Sequence, residues 1–409
     1  MTIEAPRGTH DVLASDWPHW ERIVGEAERL CALYGYRRIT TPVFEDTELF
    51  QRTSGAGSDV VQKEMYTFRD RSERSLTLRP EGTAPIARAY LEHGLHREPQ
   101  PAKLFTIAPM YRYSAPQRGR YREHWQLSVE AIGSDDPAVD AEIIQLYAEL
   151  LRALSVSEWT LLLNSIGDQK CRPAYLELLT AWLDEHDAEL RDEEVREKRA
   201  TSPLRVFDVK SERAQRALAG APRIGESLCA ECAEHFAQVR AALDAYGVPY
   251  ELEPTLVRGL DYYTRTTWEF AGPHEGAQSS LSGGGRYDGL VEEIGGPPTP
   301  GVGFGAGIER LHMAVSAEPE PPQVDVFLAV EDVGRRLELL ALLTGLRAEG
   351  RSAEVDYAGR SLKGQLTQAR RLGARTVVIA GAEEATIRRQ GRPDVSVPFS
   401  QLREELREA

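Results

Sequence analysis

The spacing of apolar and polar residues differs between the two ends of the chain. Residues 17–33 and 140–154 carry apolar side chains every three or four positions, which predicts two amphipathic helices. Short strand-like runs lie between and after them, at residues 76–78, 102–108, 125–132, 262–270 and 301–306. Runs of strands with few intervening helices favour an α+β fold, in which an antiparallel sheet is flanked by helices.

The C-terminal part has a different pattern, in which strands and helices alternate. We predict strands at residues 324–330, 351–356 and 376–380, and helices at residues 334–349 and 361–372. In the first of these helices Leu337, Leu340, Leu343 and Leu346 recur at every third residue, and Leu339 and Leu342 broaden this apolar stripe. Alternating strands and helices favour a small, mostly parallel α/β sheet.

A proline-rich stretch and a charged stretch mark the domain organisation. Residues 316–323 hold three prolines within four residues, which neither a helix nor a central strand accommodates, so we place a domain boundary there. This predicts a core of residues 1–320 and a second domain of residues 324–409. Residues 168 to about 246 are helical in pattern, charged and short of strands, so we interpret them as an insertion into the core.

Composition and charge limit the class of protein. The chain has 409 residues, of which 41% are hydrophobic and 28% are charged, as in ordinary globular proteins. No stretch approaches the roughly 18 apolar residues that cross a bilayer, and residues 1–13 lack an apolar signal segment. We therefore expect a cytoplasmic protein with no membrane partner. The net charge of −15 argues against general nucleic-acid binding, so any contact with RNA has to depend on a local basic groove.

The four cysteines are too few and too scattered to form a disulfide framework. Cys229 and Cys232, followed by His235, have the spacing of half a zinc site. A closed zinc site needs four ligands, and no second pair stands at a suitable distance along the chain. We therefore interpret the two cysteines as neighbours one helical turn apart and expect no metal.

Two polar clusters follow strand-like runs in the core. Residues 78–83 place the carboxylate of Glu81 and the hydroxyl of Thr83 at a turn, where binding residues often lie. In residues 111–126, four arginines surround a Pro/Gly loop, and the planar guanidinium group suits phosphate. An exposed basic hairpin is the alternative for this second segment.

The strand that follows the arginine loop has a polar face. Its alternation turns Gln126, Ser128 and Glu130 to one side of the predicted sheet. A buried Gln and Glu on one face could recognise a polar ligand through hydrogen bonds.

Residues 256–263 contain Arg258 in a mostly apolar stretch beside Tyr262 and Tyr263. An arginine in such surroundings needs an anionic partner, because an unpaired buried charge is costly. The partner is either a ligand or an internal acid such as Asp261, in which case the segment is a tyrosine-rich core strand.

Glycines recur at residues 283–289 and at alternate positions in residues 301–307, just before Arg310. Glycine at alternate strand positions suggests a flat ligand lying against the sheet. The spacing fits neither a dinucleotide fingerprint nor a P-loop.

Together these segments resemble the class II aminoacyl-tRNA synthetases, and among them the histidyl-tRNA synthetase family. The segments similar to the three class II motifs are residues 35–42 (motif 1), Arg112 with its loop (motif 2) and residues 301–310 (motif 3). Those similar to the two histidine-specific signatures are residues 256–263 and 284–289, and residues 6–11 and 359–363 also fit. Several spaced motifs in the right order are far more specific than one short motif.

The resemblance implies a fold, a reaction and its partners. The fold is a class II catalytic core with a C-terminal α/β anticodon-binding domain, and motif 1 builds the interface of a homodimer. The enzyme would use ATP, with Mg²⁺ on its phosphates, to convert L-histidine to histidyl-adenylate. It would then transfer the histidyl group to the 3′ end of tRNA(His).

The resemblance also implies roles for individual residues. Arg112 and Arg310 would hold the ATP phosphates, and Arg258 would contact the histidine carboxylate and the α-phosphate, so these three are the catalytic candidates. Histidine binding is implied for Glu81 and Thr83 at the ammonium group, Glu130 and Tyr263 at the imidazole, and Gly82, Gln126, Tyr262 and Tyr287 as further pocket residues. Candidate phosphate contacts for the tRNA are Arg360, Lys363, Arg370 and Arg371, whose charges surface solvation explains equally well.

One departure from the family pattern and two competing assignments remain. Ser114 and Ala115 stand where family members commonly carry a Glu-Arg pair, which affects recognition of the tRNA acceptor end. The main alternative is the regulatory paralogue of histidine biosynthesis, which does not aminoacylate. It lacks the C-terminal α/β domain and tends to lose the catalytic arginines. Another class II synthetase is disfavoured by residues 258–263.

Overall fold

A computed structural model describes residues 3–53, 60–209, 211–273, 280–315 and 323–407. The chain divides into two compact units, Met1–Glu318 and Pro319–Ala409. Of the predicted boundary segment, residues 316–322 lie outside the described residues.

The first unit contains most of the helices and strands. Before the insertion its elements are α1 (Trp17–Leu33), β1 (Arg37–Arg38), β2 (Phe44–Asp46), α2 (Thr47–Thr53), β3 (Tyr66–Arg69), β4 (Ser75–Leu78), α3 (Thr83–Glu92), β5 (Ala102–Tyr111), β6 (Glu123–Ile132), α4 (Pro137–Ala153) and β7 (Thr160–Ser165). The insertion holds α5 (Arg172–Glu185), α6 (Glu193–Thr201), α7 (Glu212–Ala217) and α8 (Ala230–Tyr246). After it come β8 (Glu251–Leu252), β9 (Thr264–Ala271), β10 (Ser280–Arg286), α9 (Leu290–Glu293), β11 (Gly301–Gly307) and α10 (Ile308–Ala314).

An eight-stranded sheet in the order β1-β5-β6-β11-β10-β9-β7-β8 forms the centre of this unit. Its inner strands are antiparallel, and only the short β1 and β8 at its two edges pair in parallel. The apolar face of α4 packs on it, with Tyr147 against the rings of Phe270 and Phe304. The predicted α+β class, with an antiparallel sheet flanked by helices, is confirmed.

One predicted strand begins later than its apolar pattern suggested. The strand expected at residues 262–270 starts at Thr264, so Tyr262 and Tyr263 lie outside the sheet. Arg265 has a left-handed backbone, with φ of 51°, and the pairing of β9 with β10 shifts register beside it. This irregularity interrupts the ladder and frees the two tyrosines to leave the sheet.

The insertion is helical, as its pattern predicted. It has apolar residues of its own, among them Tyr175, Leu179 and Leu183 on one side of α5. The charged stretch forms α6, where Asp192 caps the first turn and Val195 is the buried apolar contact.

The second unit consists of β12 (Val326–Val330), α11 (Arg336–Ala348), β13 (Ala353–Val355), α12 (Leu362–Arg371), β14 (Thr376–Ala380), β15 (Glu384–Arg389), β16 (Val395–Pro398) and α13 (Phe399–Arg407). Two separate apolar clusters cover its sheet. One includes residues of α11 and α13, and the other includes residues of α12, so the helices lie on opposite faces.

Two predictions about this unit were wrong in detail. The sheet, in the order β13-β12-β14-β15-β16, is mixed, because β15 and β16 add two antiparallel pairings to the two parallel ones. Leu337 is 78% exposed, whereas Leu339, Leu343 and Leu346 are buried. An α-helix has 3.6 residues per turn, so residues spaced strictly three apart drift around the helix away from its buried side. Leu337, at the start of that series, therefore faces solvent.

Candidate active site

Arginines from three distant segments meet at one cavity in the first unit. The cavity measures about 890 Å³, and Arg112, Arg258 and Arg310 all line it. Arg112 directly follows β5, Arg258 precedes β9, and Arg310 lies in the first turn of α10. The structure therefore brings together the three residues that the sequence analysis singled out as catalytic candidates.

Two of these arginines are held by backbone carbonyl groups. The Nε of Arg112 donates to Pro80 O at 2.7 Å, and Arg310 donates from Nη1 to Ser280 O at 2.6 Å and from Nε to Gly119 O at 3.1 Å. Among the residues that the structure describes, neither guanidinium forms a salt bridge. Carbonyl groups fix their direction without cancelling their charge, which leaves the charge for a ligand.

Arginines in the cavity wall stand close enough to repel one another. Burial lowers the pKa of Arg310, and the charges of Arg112, Arg120 and Arg258 lower it further. Arginine keeps its proton despite such shifts, so the repulsion persists. A polyanion in the cavity would relieve it.

The sequence left open whether the partner of Arg258 is a ligand or an internal acid such as Asp261, and the structure shows an internal acid. That acid is Glu269 on β9, with which it forms a salt bridge. The Arg258 guanidinium lies flat against β10, where a Cβ on Gly283 would come within 1.9 Å of it. Arg258 nevertheless borders the cavity, so it can reach a ligand while its charge is partly balanced.

Glu81 and Thr83 lie at the N-terminus of α3 and line the same cavity. The Glu81 carboxylate accepts hydrogen bonds from the backbone N–H groups of Thr83 at 2.6 Å and Ala84 at 2.9 Å. Burial raises the pKa of Glu81, and these two donors and Arg112 oppose that rise. The carboxylate is thus fixed in place at the first turn of the helix.

Glu130 lies behind Thr83 and is fully buried. Its carboxyl group accepts from the Thr83 hydroxyl at 2.7 Å and from the Tyr287 hydroxyl at 2.6 Å. Burial raises its pKa to about 8, although the two hydroxyl donors lower it. Neither Glu130 nor Tyr287 borders the cavity, whereas Tyr262 and Tyr263 do.

Tyr262 and Tyr263 stand side by side, with ring centroids 4.7 Å apart. Burial raises the pKa of Tyr263 to about 12, and the Arg258 charge opposes the rise. The Tyr263 phenol therefore stays neutral near pH 7 and can donate a hydrogen bond.

Gln126 lines the cavity from β6, and its Nε2 donates to Ser128 Oγ at 2.9 Å. Gly82 has no side chain, and this lets α3 lie close to β6. A Cβ there would lie 2.4 Å from Ser128 Oγ, so a larger residue would push α3 away from β6.

The alternating glycines of β11 have a different role from the one predicted. Protein side chains occupy the space in front of three of them, since a Cβ on Gly301, Gly303 or Gly305 would meet Tyr287, Glu130 or Gln126. The glycines therefore let pocket side chains lie flat on the sheet. Gly305 and Gly307 also border the cavity.

Two ionisable residues in the cavity wall, His124 and Glu309, were not among the predicted site residues. Burial, with the charges of Arg112 and Arg310, lowers the pKa of His124 to about 3, so its ring is neutral. Burial raises the pKa of Glu309 to about 7; its Oε1 accepts from the Trp125 amide at 2.8 Å. Its Oε2 has no hydrogen-bond partner in the part of the chain that the structure describes. His124 precedes Gln126 by two positions on β6, so strand alternation could have found it.

The loop after Arg112 forms one rim of the cavity. Ser114 is buried there, and the Arg122 guanidinium stacks on the Tyr113 ring at 3.9 Å. The Arg122 amide donates to Gly8 O at 2.7 Å, so the N-terminal segment packs on this loop. Ser114 and Ala115 both border the cavity.

Cys229 and Cys232 have further candidate ligands beside them, which their spacing along the chain did not indicate. One ligand atom each of Asp168, Cys171, Cys229 and Cys232 lies within 4.8 Å of the others. Cys171 and Asp168 come from the other end of the insertion, which sequence spacing could not reveal. His235 points elsewhere, with its Nε2 3.9 Å from Asp140.

No helix of the described residues has both the length and the apolar character needed to cross a membrane.

A mainly antiparallel eight-stranded sheet with an arginine-lined cavity on its surface, joined to a separate α/β unit, is the fold of a class II aminoacyl-tRNA synthetase. The family model described as histidyl-tRNA synthetase matches residues 8–311. The chain belongs to the histidyl-tRNA synthetase family.

Known proteins support this assignment at the level of sequence and structure. The histidine–tRNA ligase of Desulforudis audaxviator (strain MP104C) is 48% identical over 390 residues, which cover 94% of this chain and 92% of that protein. The crystal structure of apo S. aureus histidyl-tRNA synthetase matches with a TM-score of 0.82 and 34% identity, over 99% of this chain and 100% of that one. A Bacillus halodurans protein described as an ATP phosphoribosyltransferase regulatory subunit/histidyl-tRNA synthetase has a TM-score of 0.68 and 24% identity, over 93% of this chain and 100% of that one, a likeness of fold alone.

Proposed function

We propose that this protein is a histidine–tRNA ligase, which activates L-histidine with ATP and transfers it to tRNA(His). The observation that carries the proposal is the meeting of Arg112, Arg258 and Arg310 around one cavity whose wall also holds Glu81 and Tyr263. The first group suits a triphosphate, and the second suits the charged and polar ends of an amino acid.

ATP occupies the positively charged part of the cavity. Arg112 and Arg310 hold its phosphates, because their charges are oriented by carbonyl groups and repel one another until an anion binds. The histidine carboxylate attacks the α-phosphorus and pyrophosphate leaves. Arg258 contacts both reacting groups and stabilises the charge that develops during attack.

Histidine occupies the end of the cavity beside α3. Its ammonium group binds Glu81 and the Thr83 hydroxyl, and its imidazole binds Tyr263 and Glu130, with Gly82, Gln126, Tyr262 and Tyr287 completing the pocket. The Thr83 hydroxyl donates to Glu130, so the imidazole has to replace that hydrogen bond to reach the carboxyl group, which leaves the hydroxyl to accept from the ammonium group. A pocket built of buried polar partners rejects amino acids that leave those partners unpaired.

Magnesium accompanies ATP in this proposal. A cavity acid with a free oxygen fits such an ion, and Glu309 supplies one, since its Oε2 has no hydrogen-bond partner among the described residues. Glu309 and the ATP phosphates would hold the ion, which would neutralise phosphate charge.

We further propose that residues 1–320 are the catalytic core, with the insertion at about 168–246, and that residues 324–409 bind the anticodon. In the second unit Lys363, Arg370 and Arg371 project from α12 into solvent, which suits phosphate contacts. Arg360 is bound to Asp356 and Gln368, so it is a weaker candidate. The 3′ end of the tRNA enters beside the loop that carries Ser114.

A homodimer and a cytoplasmic location complete the proposal. Val43, Phe44 and Phe68 are each at least 40% exposed on the three-stranded sheet β2-β4-β3, next to motif 1. Exposed apolar clusters mark interfaces. None of the four cysteines, all of them within the described residues, forms a disulfide, as suits a reducing compartment.

One assay tests the function directly. ATP–pyrophosphate exchange is measured with each of the twenty amino acids, and exchange that depends on histidine alone is expected. Binding of histidine with no exchange would favour the regulatory alternative, and exchange with a different amino acid would favour another class II synthetase.

A further inference from the structure

We propose that Asp168, Cys171, Cys229 and Cys232 form a structural zinc site, which joins the beginning of the insertion to its last helix. These four residues do not border the cavity. The proposal is independent of the reaction that the cavity performs.

The distances within the cluster match a tetrahedral ion. The Sγ atoms of Cys171 and Cys232 are 3.9 Å apart, and Cys171 Sγ is 3.6 Å from Asp168 Oδ1. With Zn–S bonds of about 2.3 Å and Zn–O bonds of about 2.0–2.2 Å, tetrahedral angles place two sulfurs about 3.8 Å apart and sulfur and oxygen about 3.5–3.7 Å apart. These two distances therefore match edges of a tetrahedral zinc site, and all four ligand atoms lie within 4.8 Å of one another.

The local fold holds the ligands in this arrangement. Cys171 stands immediately before α5 and Cys229 immediately before α8, while Cys232 lies in the first turn of α8. The Asp168 amide donates to Cys171 Sγ at 3.4 Å, as amides do toward metal-bound thiolates. Gly167 has φ of 63°, and a Cβ there would lie 2.7 Å from the Cys171 sulfur, so the loop closes tightly over the cluster.

The donor set selects the ion and its role. Three thiolates and one carboxylate suit zinc and disfavour magnesium or calcium, which require oxygen ligands. Four protein ligands close the coordination sphere, and Cys171 and Cys232 are buried, so the site is structural. A disulfide would need the two sulfurs about 2.05 Å apart, far closer than they stand.

Neighbouring cations balance the negative charge of such a site. Arg265 Nη2 lies 3.7 Å from Asp168 Oδ2. Arg172 follows Cys171 directly and donates to Ile166 O at 3.2 Å and to Tyr263 O at 2.7 Å. Through Arg172 the cluster supports the segment that carries Tyr263.

The test measures metal in the full-length protein, expressed with zinc and purified with its thiols reduced. We expect one zinc per chain, measured by inductively coupled plasma mass spectrometry. Replacing zinc with cobalt should produce the thiolate charge-transfer bands and the d–d bands of a tetrahedral centre. Cys171→Ala and Cys229→Ala should each lose the metal and lower the unfolding temperature.

Cys31→Ala is the matched control, because Cys31 is equally buried but lies in α1, outside the cluster. It should keep its zinc. Absence of stoichiometric metal from the reduced wild-type protein would overturn the proposal, as would equal loss in the Cys31 variant. The wild-type measurement stands even if a ligand variant fails to fold, and it does not depend on the outcome of the exchange assay.

Discussion

Arg258 is the residue whose surroundings most restrict its role. Its guanidinium is balanced by Glu269, rests on Gly283 and still borders the cavity. An arginine fixed in this way is oriented before substrate binds. A positively charged group that is already oriented stabilises the negative charge that develops in the transition state.

We predict that Arg258→Ala lowers histidine-dependent pyrophosphate exchange by about 10²–10³, the usual effect of losing one donor to a developing charge. Steady-state exchange rates measure the loss, and circular dichroism checks the fold. Arg216→Ala is the control, since Arg216 is 75% exposed on α7 and does not border the cavity. Near-normal exchange in a folded Arg258 variant would remove this residue from the mechanism.

Glu130 makes stability depend on pH. Its pKa is near 4.5 in an unfolded chain and about 8 in the folded protein, so the folded protein binds more protons between these values. The free energy of unfolding should therefore fall, through this group, as pH rises from about 4.5 to about 8.

Glu130→Gln cannot ionise, so we predict that its stability declines less than that of the wild type over the same interval. Thermal unfolding below pH 5 and above pH 8 measures the difference. The exposed Glu292→Gln should follow the wild type. Parallel pH curves for the wild type and Glu130→Gln would mean that Glu130 is ionised in the folded protein.

Residue chemistry in the sequence identified the large, charged members of the site and missed those that depend on tertiary contacts. Arg112 stood out beside a Pro/Gly loop, Arg258 in a mostly apolar stretch, and Arg310 after a run of glycines. No feature of the neighbouring sequence distinguishes His124, and its low pKa depends on burial and on arginines distant in the chain. Asp168 and Cys171 join Cys229 only when the two ends of the insertion meet.

At the scale of elements, α12 is the part of the second unit best suited to RNA. Ala369 and Gln365 face its sheet, while Lys363 and Arg370, seven residues apart, are exposed. Residues seven apart lie on one face of a helix, so their charges can contact neighbouring phosphates.

We predict that Lys363→Ala/Arg370→Ala raises the KM for tRNA in the charging reaction and leaves pyrophosphate exchange unchanged. Each lost phosphate contact should also reduce the slope of log affinity against log salt by about 1. Arg403→Ala is the control, because α13 lies on the other face of the sheet. Equal effects on charging and exchange would show that α12 has a structural role only.

Elements with strong periodicity were predictable, and their interruptions were not. Helix α1 matches its predicted bounds because its apolar spacing repeats over seventeen residues. The start of β9 did not match, because Arg265 adopts a left-handed backbone that no local pattern indicates. β15 and β16 were missed because their alternating positions hold charged and small residues, which mask a half-buried strand.

At the scale of the whole molecule, the net charge does not describe the cavity, whose wall holds acidic residues together with a group of arginines. The chain carries −15, yet its main cavity gathers arginines. Total charge therefore could not predict the ligand, because screening limits each charge to a range of about 10 Å at moderate salt.

The exposed apolar face of the three-stranded sheet gives a prediction about assembly. Phe44 lies on β2 and Phe68 on β3, the two edge strands on either side of β4, with ring centroids 6.2 Å apart. We predict that Phe44→Asp/Phe68→Asp shifts a dimer toward monomer, because two carboxylates would be buried without partners. Light scattering after size exclusion measures the mass.

Leu178→Asp is the matched control, since Leu178 is 51% exposed but lies on α5 of the insertion. It should leave the mass unchanged. A wild-type protein that is already monomeric at micromolar concentration would contradict the prediction.

The glycines of β11 lie beneath the side chains of the amino-acid pocket, so a substitution there would change the depth of the pocket from below. A methyl group on Gly303 would come within 1.7 Å of the buried carboxyl group of Glu130, which has no room to retreat. A methyl group on Gly305 would meet the mobile end of Gln126 at 2.8 Å instead. Gly305 is therefore the position at which one added carbon could make the pocket shallower and change which amino acids fit, while every group that faces the substrate keeps its identity.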